Sequence, residues 1–300
     1  MLIPPFFSAL LVAGFLFMRA QADIRIRIIS HNIRYATTSP FTGERPWADR
    51  KALMVNELKW NTLYNDEVFV CLQEVLDAQL RDVLGGLGAE WDYIGVGRDD
   101  GKKAGEYSPI LYRKAAWKVE EWKTVWLSET PDKPGKGWDA ASIRIVTVGT
   151  FLHQASKKKV VGMCTHLDDQ GQVSRTESAK LILRVVDEVT HNGTAVSDPL
   201  PVFLGGDLNS EPDGSAFQIL NGKNSSLQAV KELAPWKYGN QKTFTGFQDS
   251  SAKTELDHVF VDRRKGVWEV RGFAVLPNRF DDGVYDSDHR AVVGDVVLKV

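Results

Sequence analysis

The sequence contains only two cysteines in 300 residues, and it has no excess of charge of either sign. Two cysteines cannot form the dense network of a disulfide scaffold or a zinc site built from paired cysteine ligands. The 37 lysines and arginines nearly balance the 39 aspartates and glutamates, so no general positive field attracts a polyanion. A hydrophobic fraction of 43% is too high for a disordered chain. We therefore expect one globular domain in which any polyanionic ligand is held by local groups.

The hydrophobic run at the N-terminus, Phe6 to Met18, is followed by Ala20-Gln21-Ala22. The run is too short to span a bilayer, and small residues at 20 and 22 are typical of a signal-peptide cleavage site. We interpret residues 1–22 as a secretory signal peptide and 23–300 as a single secreted domain, a monomer without stable membrane association. The alternative is an uncleaved membrane anchor, because no positive side chain precedes the run.

Two further features bear on secretion. The sequons Asn192-Gly193-Thr194 and Asn224-Ser225-Ser226 lie in polar stretches, as expected of a chain that passes through a glycosylating compartment. Cys71 and Cys164 lie in apolar, strand-like runs. One disulfide and two buried thiols are both open at this point, because free cysteine packs as a small hydrophobic residue.

Hydrophobic periodicity predicts strands and helices in alternation, with no linker, repeat or low-complexity segment. Alternating isoleucines predict a first strand that begins at Ile24 and runs into Ser30-His31-Asn32. Helices are predicted over 47–60, over 76–87 with glycines at its end, and over 173–189. Further strands are predicted over 68–72, 93–96, 110–112, 117–127, 143–152, 160–165, 202–204, 256–261, 267–275 and 291–300. Many strands with few helices indicate two packed sheets with helices outside.

Polar side chains suited to acid–base or metal chemistry follow one apolar run after another. They are Asn32, Glu74, His166, Asp207, Asn209, Asp257, Asp288 and His289. If strands of both sheets end on one rim, these groups meet in a single cleft. Each also has a simpler explanation as a turn residue, a helix-terminal carboxylate or an ordinary strand-end histidine. Asp257 resists that explanation, because a charge inside an apolar strand needs a partner, and His289 is the obvious candidate.

Six short motifs carry these residues in a characteristic order. They are Asn32-Ile33-Arg34, Gln73-Glu74, Thr165-His166, Gly206-Asp207-Leu208-Asn209, Leu256-Asp257-His258 and Ser287-Asp288-His289. The set resembles the endonuclease/exonuclease/phosphatase superfamily over residues 24–300. The resemblance implies the deoxyribonuclease I-like α/β fold, a four-layer α/β sandwich of two mixed β-sheets packed face to face with helices outside. Longer strings, such as 95–101 and 126–131, are similar to a subgroup related to the carbon-catabolite-repressor-type deadenylases.

The resemblance implies a metal-dependent phosphoesterase. Glu74, with Asn32 beside it, offers the hard oxygen donors that suit Mg²⁺ or Mn²⁺, and Asp288 would help at the same metal or at a second one. Arg34 stands where several nuclease relatives place an additional metal-binding carboxylate, so a second metal site is in doubt.

The same resemblance implies catalytic roles for five residues. His289 is the histidine at the phosphate, with Asp257 holding its ring, and it acts either as a base or as an electrophile. Asp207 would activate water or protonate the leaving group. Asn209 would donate to the phosphoryl oxygens, and His166 would do the same or act as the acid.

Candidates for substrate binding are residues that pair with phosphate or stack on bases and sugars. They are Arg34, Arg98, Arg144, Trp126 and Trp138. The alternative for the tryptophans is a place in the core. Two departures from the family pattern bear on substrate choice: His258 replaces a common tyrosine, and Asp169 stands where close relatives often have histidine.

The sequence favours a secreted nuclease that cuts DNA or RNA as an endonuclease or a 3′–5′ exonuclease, the activities of the largest branch of the superfamily. The acidic balance weighs mildly against tight nucleic-acid binding. The rival is a phosphatase or phosphodiesterase acting on a sugar phosphate, an inositol phosphate or sphingomyelin. A non-catalytic binding protein is the third class, and it predicts the loss of site residues, all of which are intact.

Overall fold

The computed structural model describes residues 22–191, 199–248 and 254–299. The strands are β1 (Ile24–Asn32), β2 (Val68–Gln73), β3 (Trp91–Ile94), β4 (Ile110–Arg113), β5 (Trp117–Trp126), β6 (Ile145–His153), β7 (Lys159–His166), β8 (Val202–Asp207), β9 (Leu227–Ala229), β10 (Lys237–Gly239), β11 (Asp257–Asp262), β12 (Trp268–Val275) and β13 (Val292–Leu298). The helices are α1 (Trp47–Asn61), α2 (Asp77–Leu87), α3 (Gln172–His191), α4 (Ser215–Asn221) and α5 (Val230–Leu233).

The strands form two mixed sheets. One has seven strands in the order β10-β12-β13-β1-β2-β4-β3, and the other has six in the order β5-β6-β7-β8-β11-β9. The central pairs β1–β2 and β7–β8 are parallel, whereas β13 and β11 run antiparallel to them. The carboxyl ends of the parallel strands and the amino ends of β11 and β13 therefore share one edge of the sandwich.

Three apolar clusters lie between the four layers of the sandwich, which are two sheets and a layer of helices outside each. Between the sheets, the Phe69 ring lies 4.7 Å from the Trp117 ring and 4.8 Å from those of Phe151 and Phe203. The outer face of the seven-stranded sheet packs on α1 and α2, and that of the six-stranded sheet packs on α3 and α4. Both faces of each sheet are covered, which is why β2 and β8 are continuous apolar runs rather than alternating ones. The expected four-layer α/β sandwich is confirmed.

A disulfide joins the sheets directly beneath the shared edge. Cys71 of β2 and Cys164 of β7 are bonded, which settles the choice that the sequence leaves open. Gly205 of β8 lies against this bridge, where a Cβ atom would come 3.1 Å from Cys71 Cβ. A side chain here would press on the bridge, and glycine leaves room for the close approach of the sheets.

The structure shifts some element boundaries, and two features of the sequence lie wholly or mostly outside the described residues. The third strand lies at Trp91–Ile94, two residues earlier than expected, and four short elements, α4, β9, α5 and β10, carry no clear periodic signal. Residues 1–21 of the proposed signal peptide and the first sequon fall outside the described residues, and Asn224 of the second sequon is exposed. No helix in the described ranges has the length and apolar character of a membrane span.

Candidate active site

The shared edge of the two sheets collects the polar side chains that follow the strands. Asn32 and Glu74 come from the ends of β1 and β2, and His166 and Asp207 end β7 and β8. Asp257 opens β11 directly opposite Asp207. Asp288 and His289 precede β13, and Asn209 follows β8 by two residues. The eight residues singled out in the sequence therefore lie on one rim.

Asn32 connects the two halves of this rim. Its Nδ2 donates to Glu74 Oε1 on the seven-stranded side and to Asp207 Oδ2 on the six-stranded side, at 3.0 Å each. Its Oδ1 accepts the Arg34 backbone N–H. An amide is the side chain that can donate to two carboxylates at once while its oxygen fixes the following loop.

His289 is held between two carboxylates. Its Nδ1 lies 2.8 Å from Asp257 Oδ2, and its Nε2 lies 3.6 Å from Asp207 Oδ2. Burial alone would lower the pKa of His289, but the charges of Asp257 and Asp207 outweigh it and raise this pKa well above its usual range. The expected pairing of Asp257 with His289 is confirmed. The imidazolium form presents an N–H at Nε2, which suits an electrophile facing a phosphoryl oxygen.

Asp207 is a buried acid that lies beside a second acid, Asp257, so its charged form is disfavoured. Burial and the charge of Asp257 raise the pKa of Asp207 to about 7. A carboxyl with that pKa exchanges its proton near neutral pH, as a general base or acid must.

His166 and Asn209 form a second polar pair on the other side of Asp207. Asn209 Nδ2 donates to His166 Nε2 at 3.1 Å and to the Leu167 carbonyl at 2.9 Å. Burial and the nearby Arg144 and Arg98 lower the pKa of His166 well below its usual value. His166 is therefore a neutral imidazole whose Nε2 accepts, and both N–H groups of the Asn209 amide are engaged within the protein.

The donor set at Glu74 and Asp288 fits one hard divalent cation. Burial raises the pKa of Asp288 to about 6, with His289 opposing this effect and the like charge of Glu74 adding to it. Two carboxylates close enough for their charges to interact are hard oxygen donors of the kind that Mg²⁺ or Mn²⁺ takes. Arg34 Nη1 lies 3.7 Å from Glu74 Oε2, and Arg34 Nε also pairs with Glu44. A guanidinium thus occupies the side of Glu74 where a second cation would compete with it.

Three site residues adopt the left-handed backbone region. They are Arg34 (φ 56°), Glu74 (φ 60°) and Asn209 (φ 45°). Asparagine tolerates this region, whereas arginine and glutamate rarely adopt it. Hydrogen bonds brace the turns at Arg34 and Asn209. Glu74 Oε2 accepts the N–H of Tyr35, the residue after Arg34, and Asp207 Oδ1 accepts the N–H of Asn209. Such strain is typical of residues whose side chains must point into a site.

The arginines proposed for substrate binding lie beside His166, and each is bound to carboxylates. Arg98 forms two hydrogen bonds of 2.8 Å with Glu106. Arg144 contacts Asp168 at 3.2 Å and Asp169 at 2.7 Å.

The two tryptophans have structural partners. Trp126 is buried, and its indole N–H donates to the Arg98 carbonyl. Trp138 is half-buried against the outer core of the six-stranded sheet. Trp126 thus positions the loop that carries Arg98.

Two residues of the site carry no sequence signal of their own. Glu106 faces His166 Nδ1 at 3.9 Å, and burial together with the charge of Glu74 raises its pKa to about 7. Asp168 is fully buried and accepts N–H groups of Ala141, Ser142 and Gly171. Neither residue ends a strand, so the pattern that found the rim could not find them.

A rim of carboxylates, a His–Asp pair and amide donors on this sandwich defines a hydrolase of phosphate esters. The chain belongs to the Endonuclease/Exonuclease/phosphatase family, whose family profile matches residues 29–289.

Comparisons with known proteins agree with this assignment. An endonuclease/exonuclease/phosphatase family protein of Bacteroides thetaiotaomicron has a TM-score of 0.84 at 30% identity, covering 94% of this chain and 98% of that one. A mannosyl-6-phosphatase of the same organism has a TM-score of 0.81 at 30% identity, covering 91% and 100%. A probable RNA exonuclease of Schizosaccharomyces pombe is 25% identical over 260 residues, 80% of this chain. The chain spans only about half, 48%, of the length of that curated relative.

Proposed function

We propose that the protein is a secreted phosphoesterase that depends on a divalent cation, Mg²⁺ or Mn²⁺, and that acts on small phosphorylated sugars. The single observation that carries this substrate class is the state of the two arginines next to His166. Arg98 is neutralised by Glu106, and Arg144 is neutralised by Asp168 and Asp169.

Polynucleotide binding requires lysines and arginines that are free to neutralise successive phosphates. The rim offers arginine–carboxylate pairs instead, and the whole chain carries a formal net charge of −2. Such pairs suit a neutral, hydroxyl-rich group, because the carboxylate accepts from hydroxyls while the guanidinium donates to them. Asp169 is about half exposed and is therefore available to a ligand. The mannosyl-6-phosphatase among the structural neighbours favours the same class.

The chemistry follows from the positions of the protons. A cation held by Glu74 and Asp288 would supply charge neutralisation to the phosphoryl oxygens. The Asn32 amide, whose Nδ2 donates to Glu74 Oε1, would orient that ligand. His289 donates from Nε2 to the phosphoryl group, and Asp257 keeps the imidazolium in place. Asp207, whose pKa is raised to about 7, takes the proton of the attacking water or returns it to the leaving oxygen.

His166 and Asn209 complete the phosphate side of the site. The lone pair of His166 Nε2 holds one Asn209 N–H, so this amide is oriented before a substrate enters. When this N–H turns from His166 Nε2 to a phosphoryl oxygen, Asn209 takes its expected role as a donor to the phosphate. His166 stays neutral in this role, because burial and the charges of Arg144 and Arg98 hold its pKa well below its usual value.

Secretion is part of the proposal and is supported by two features. A disulfide is stable in an oxidising compartment and rare in a reducing one, and Cys71–Cys164 is buried in the core. The exposed Asn224 offers a glycosylation acceptor. We propose that residues 1–22 are removed and that the mature chain begins at Asp23.

A nuclease is the second candidate. It is favoured by the relative named as a probable RNA exonuclease, which matches 80% of this chain. A nuclease with weak binding would also be compatible with the acidic rim, because a scavenging enzyme does not need high affinity.

The test is a substrate panel with purified protein in EDTA, Mg²⁺ or Mn²⁺. The panel contains hexose 6-phosphates, inositol phosphates, sphingomyelin, RNA, and single- and double-stranded DNA. We expect metal-dependent phosphate release from hexose phosphates, with kcat/KM at least about 100-fold above that for any nucleic acid, a difference of about 3 kcal/mol in transition-state binding. Glu74→Ala is the control for contamination, and it should be inactive on every substrate. Faster cleavage of RNA or DNA would select the nuclease instead.

A further inference from the structure

A second polar cluster lies behind the segment 286–289, called here the catalytic loop because it carries Asp288 and His289. The cluster takes no part in the proposed chemistry. It consists of His31 in β1, Glu57 in α1, and Asp286 in the segment before β13. One ligand-type atom from each of the three side chains lies within 4.8 Å of the other two. The His31 side chain is fully buried, and that of Glu57 is 9% exposed. We propose that this cluster is a structural divalent-cation site, and that its chemistry suits Zn²⁺.

The tautomer of His31 is the first argument. Its Nε2 lies 3.2 Å from the His289 carbonyl oxygen, and a carbonyl can only accept, so Nε2 carries the hydrogen. In the neutral ring Nδ1 is then a bare lone pair. That atom has no hydrogen-bond partner among the described residues, and it points toward Glu57 Oε2 at 3.4 Å. A histidine whose far nitrogen donates to a backbone carbonyl is the usual arrangement of a metal ligand.

The second argument is the unmatched negative charge. Among the described residues, no donor group pairs with either Glu57 carboxylate oxygen or with Asp286 Oδ1, and the two carboxyl groups face each other. Arg50 lies nearby, but its N–H groups are directed to the carbonyls of Asp286, Ile33, Arg34 and Arg45 rather than to the Asp286 carboxylate. Metal ligands bind in their deprotonated forms. With both carboxyls ionised and the imidazole neutral, the cluster carries a charge of −2, which one divalent cation neutralises.

The geometry and donor types narrow the choice of ion. Zn²⁺ binds histidine nitrogen and carboxylate oxygen at about 2.0–2.2 Å, which places neighbouring ligands about 3.3–3.6 Å apart in a tetrahedron. The 3.4 Å between His31 Nδ1 and Glu57 Oε2 matches this spacing. Imidazole disfavours Mg²⁺ and Ca²⁺, which prefer oxygen ligands alone. Glu57 also lines a surface groove beside Trp60 and Trp236, which gives the ion a path from solvent.

The site would act by positioning the catalytic loop. Asp286 lies two residues before Asp288, and the His31 ring holds the carbonyl of His289. A cation at this place ties β1 and α1 to that loop without touching the substrate, so the inference is independent of which ester is hydrolysed.

The test measures zinc in a background that removes a catalytic-site ligand. Purified Glu74→Ala protein is stripped with chelator, loaded with Zn²⁺, dialysed and analysed by elemental mass spectrometry. We expect close to one zinc per chain. Adding Glu57→Gln should lower this at least about tenfold, as expected when a ligand is lost. Adding Asp49→Asn, an exposed acid on the same helix, should leave it unchanged.

Thermal unfolding provides the second readout. Zinc at about 100 times its Kd should raise the Tm of Glu74→Ala protein by about 5–10 °C, and it should not raise that of the double variant. Asp286→Asn replaces Glu57→Gln if the latter does not fold. Zinc content and Tm that are the same with and without Glu57 and Asp286 would overturn the proposal, as would a Glu74→Ala protein that binds no zinc. A shared proton would then hold the cluster together.

Discussion

His289 Nδ1 lies 2.8 Å from Asp257 Oδ2, and this hydrogen bond connects the edge of one sheet to the edge of the other. Asp257 opens a strand of the six-stranded sheet, and His289 precedes a strand of the seven-stranded sheet. The charge state of the histidine, and therefore its ability to donate to phosphate, depends on how the two sheets pack.

The first prediction concerns this pair. Asp257→Asn should lower kcat by about 10²–10⁴-fold, because the amide neither charges the imidazole nor fixes its tautomer. His289→Ala should lower kcat at least as much. Both variants should stay folded by circular dichroism. Asp295→Asn, in the middle of β13 where it pairs with Arg27, is the matched control and should retain activity. Full activity in Asp257→Asn would remove this pair from the mechanism.

The second prediction concerns the disulfide under the rim. The double variant Cys71→Ala/Cys164→Ala should lose about 2–4 kcal/mol of unfolding free energy, because the bond closes a long loop with a sequence separation of 93 residues. Chemical denaturation measures the loss. Titration of the native protein with a thiol reagent should find no reactive thiol before reduction and two after denaturing reduction. Two thiols without reductant would contradict the bond.

The rim was predictable from the sequence because its residues interrupt buried runs. Asp257 and Asp207 stand out for this reason, since an apolar strand that meets a carboxylate must be near its end or near a partner. The strand pairing was not predictable in the same way. Cys71 and Cys164 lie 93 residues apart, and nothing in either run indicates that β2 and β7 face each other.

Residues brought in by loops and helices were beyond sequence reasoning. Glu106 lies in a polar loop, where one more carboxylate is unremarkable. Glu57 looks like an ordinary surface residue of α1, and only the packing of that helix on β1 shows it to be buried next to His31. Only tertiary contacts, and not sequence periodicity, show that such side chains are part of a buried cluster.

The third prediction uses pH. Asp168 is fully buried, which by itself raises its pKa, but N–H groups of Gly171, Ala141 and Ser142 and the charge of Arg144 lower that pKa to about 2. A carboxylate whose pKa is lower in the folded protein stabilises the fold at pH values above its unfolded-state pKa of about 3.9. This stabilisation is lost as the pH falls toward 2. Asp168→Asn should therefore lower the free energy of unfolding by about 2 kcal/mol at pH 7.

That cost should shrink progressively between about pH 4 and pH 2. Urea denaturation at a series of pH values tests it, with Asp169→Asn, a neighbouring and half-exposed carboxylate, as the control. An equal loss at pH 7 and pH 2 would mean that Asp168 contributes by shape rather than by charge.

The fourth prediction separates sugar recognition from phosphate chemistry. Asp169→Asn should lower kcat/KM for a hexose phosphate by about tenfold, which corresponds to the loss of one charge-assisted hydrogen bond to a hydroxyl. It should leave kcat for p-nitrophenyl phosphate nearly unchanged, because that ester has no hydroxyl for Asp169 to bind. Asp132→Asn, an exposed acid in the loop after β5, is the control. Equal losses on both esters would assign Asp169 to the chemistry.

The most direct test of the site is a crystal structure with Mn²⁺ and inorganic phosphate, in which anomalous scattering locates the metal. We expect a manganese peak at Glu74 and Asp288, with phosphate between Asn209, His166 and His289. Manganese bound away from Glu74, or phosphate held outside the rim, would contradict it.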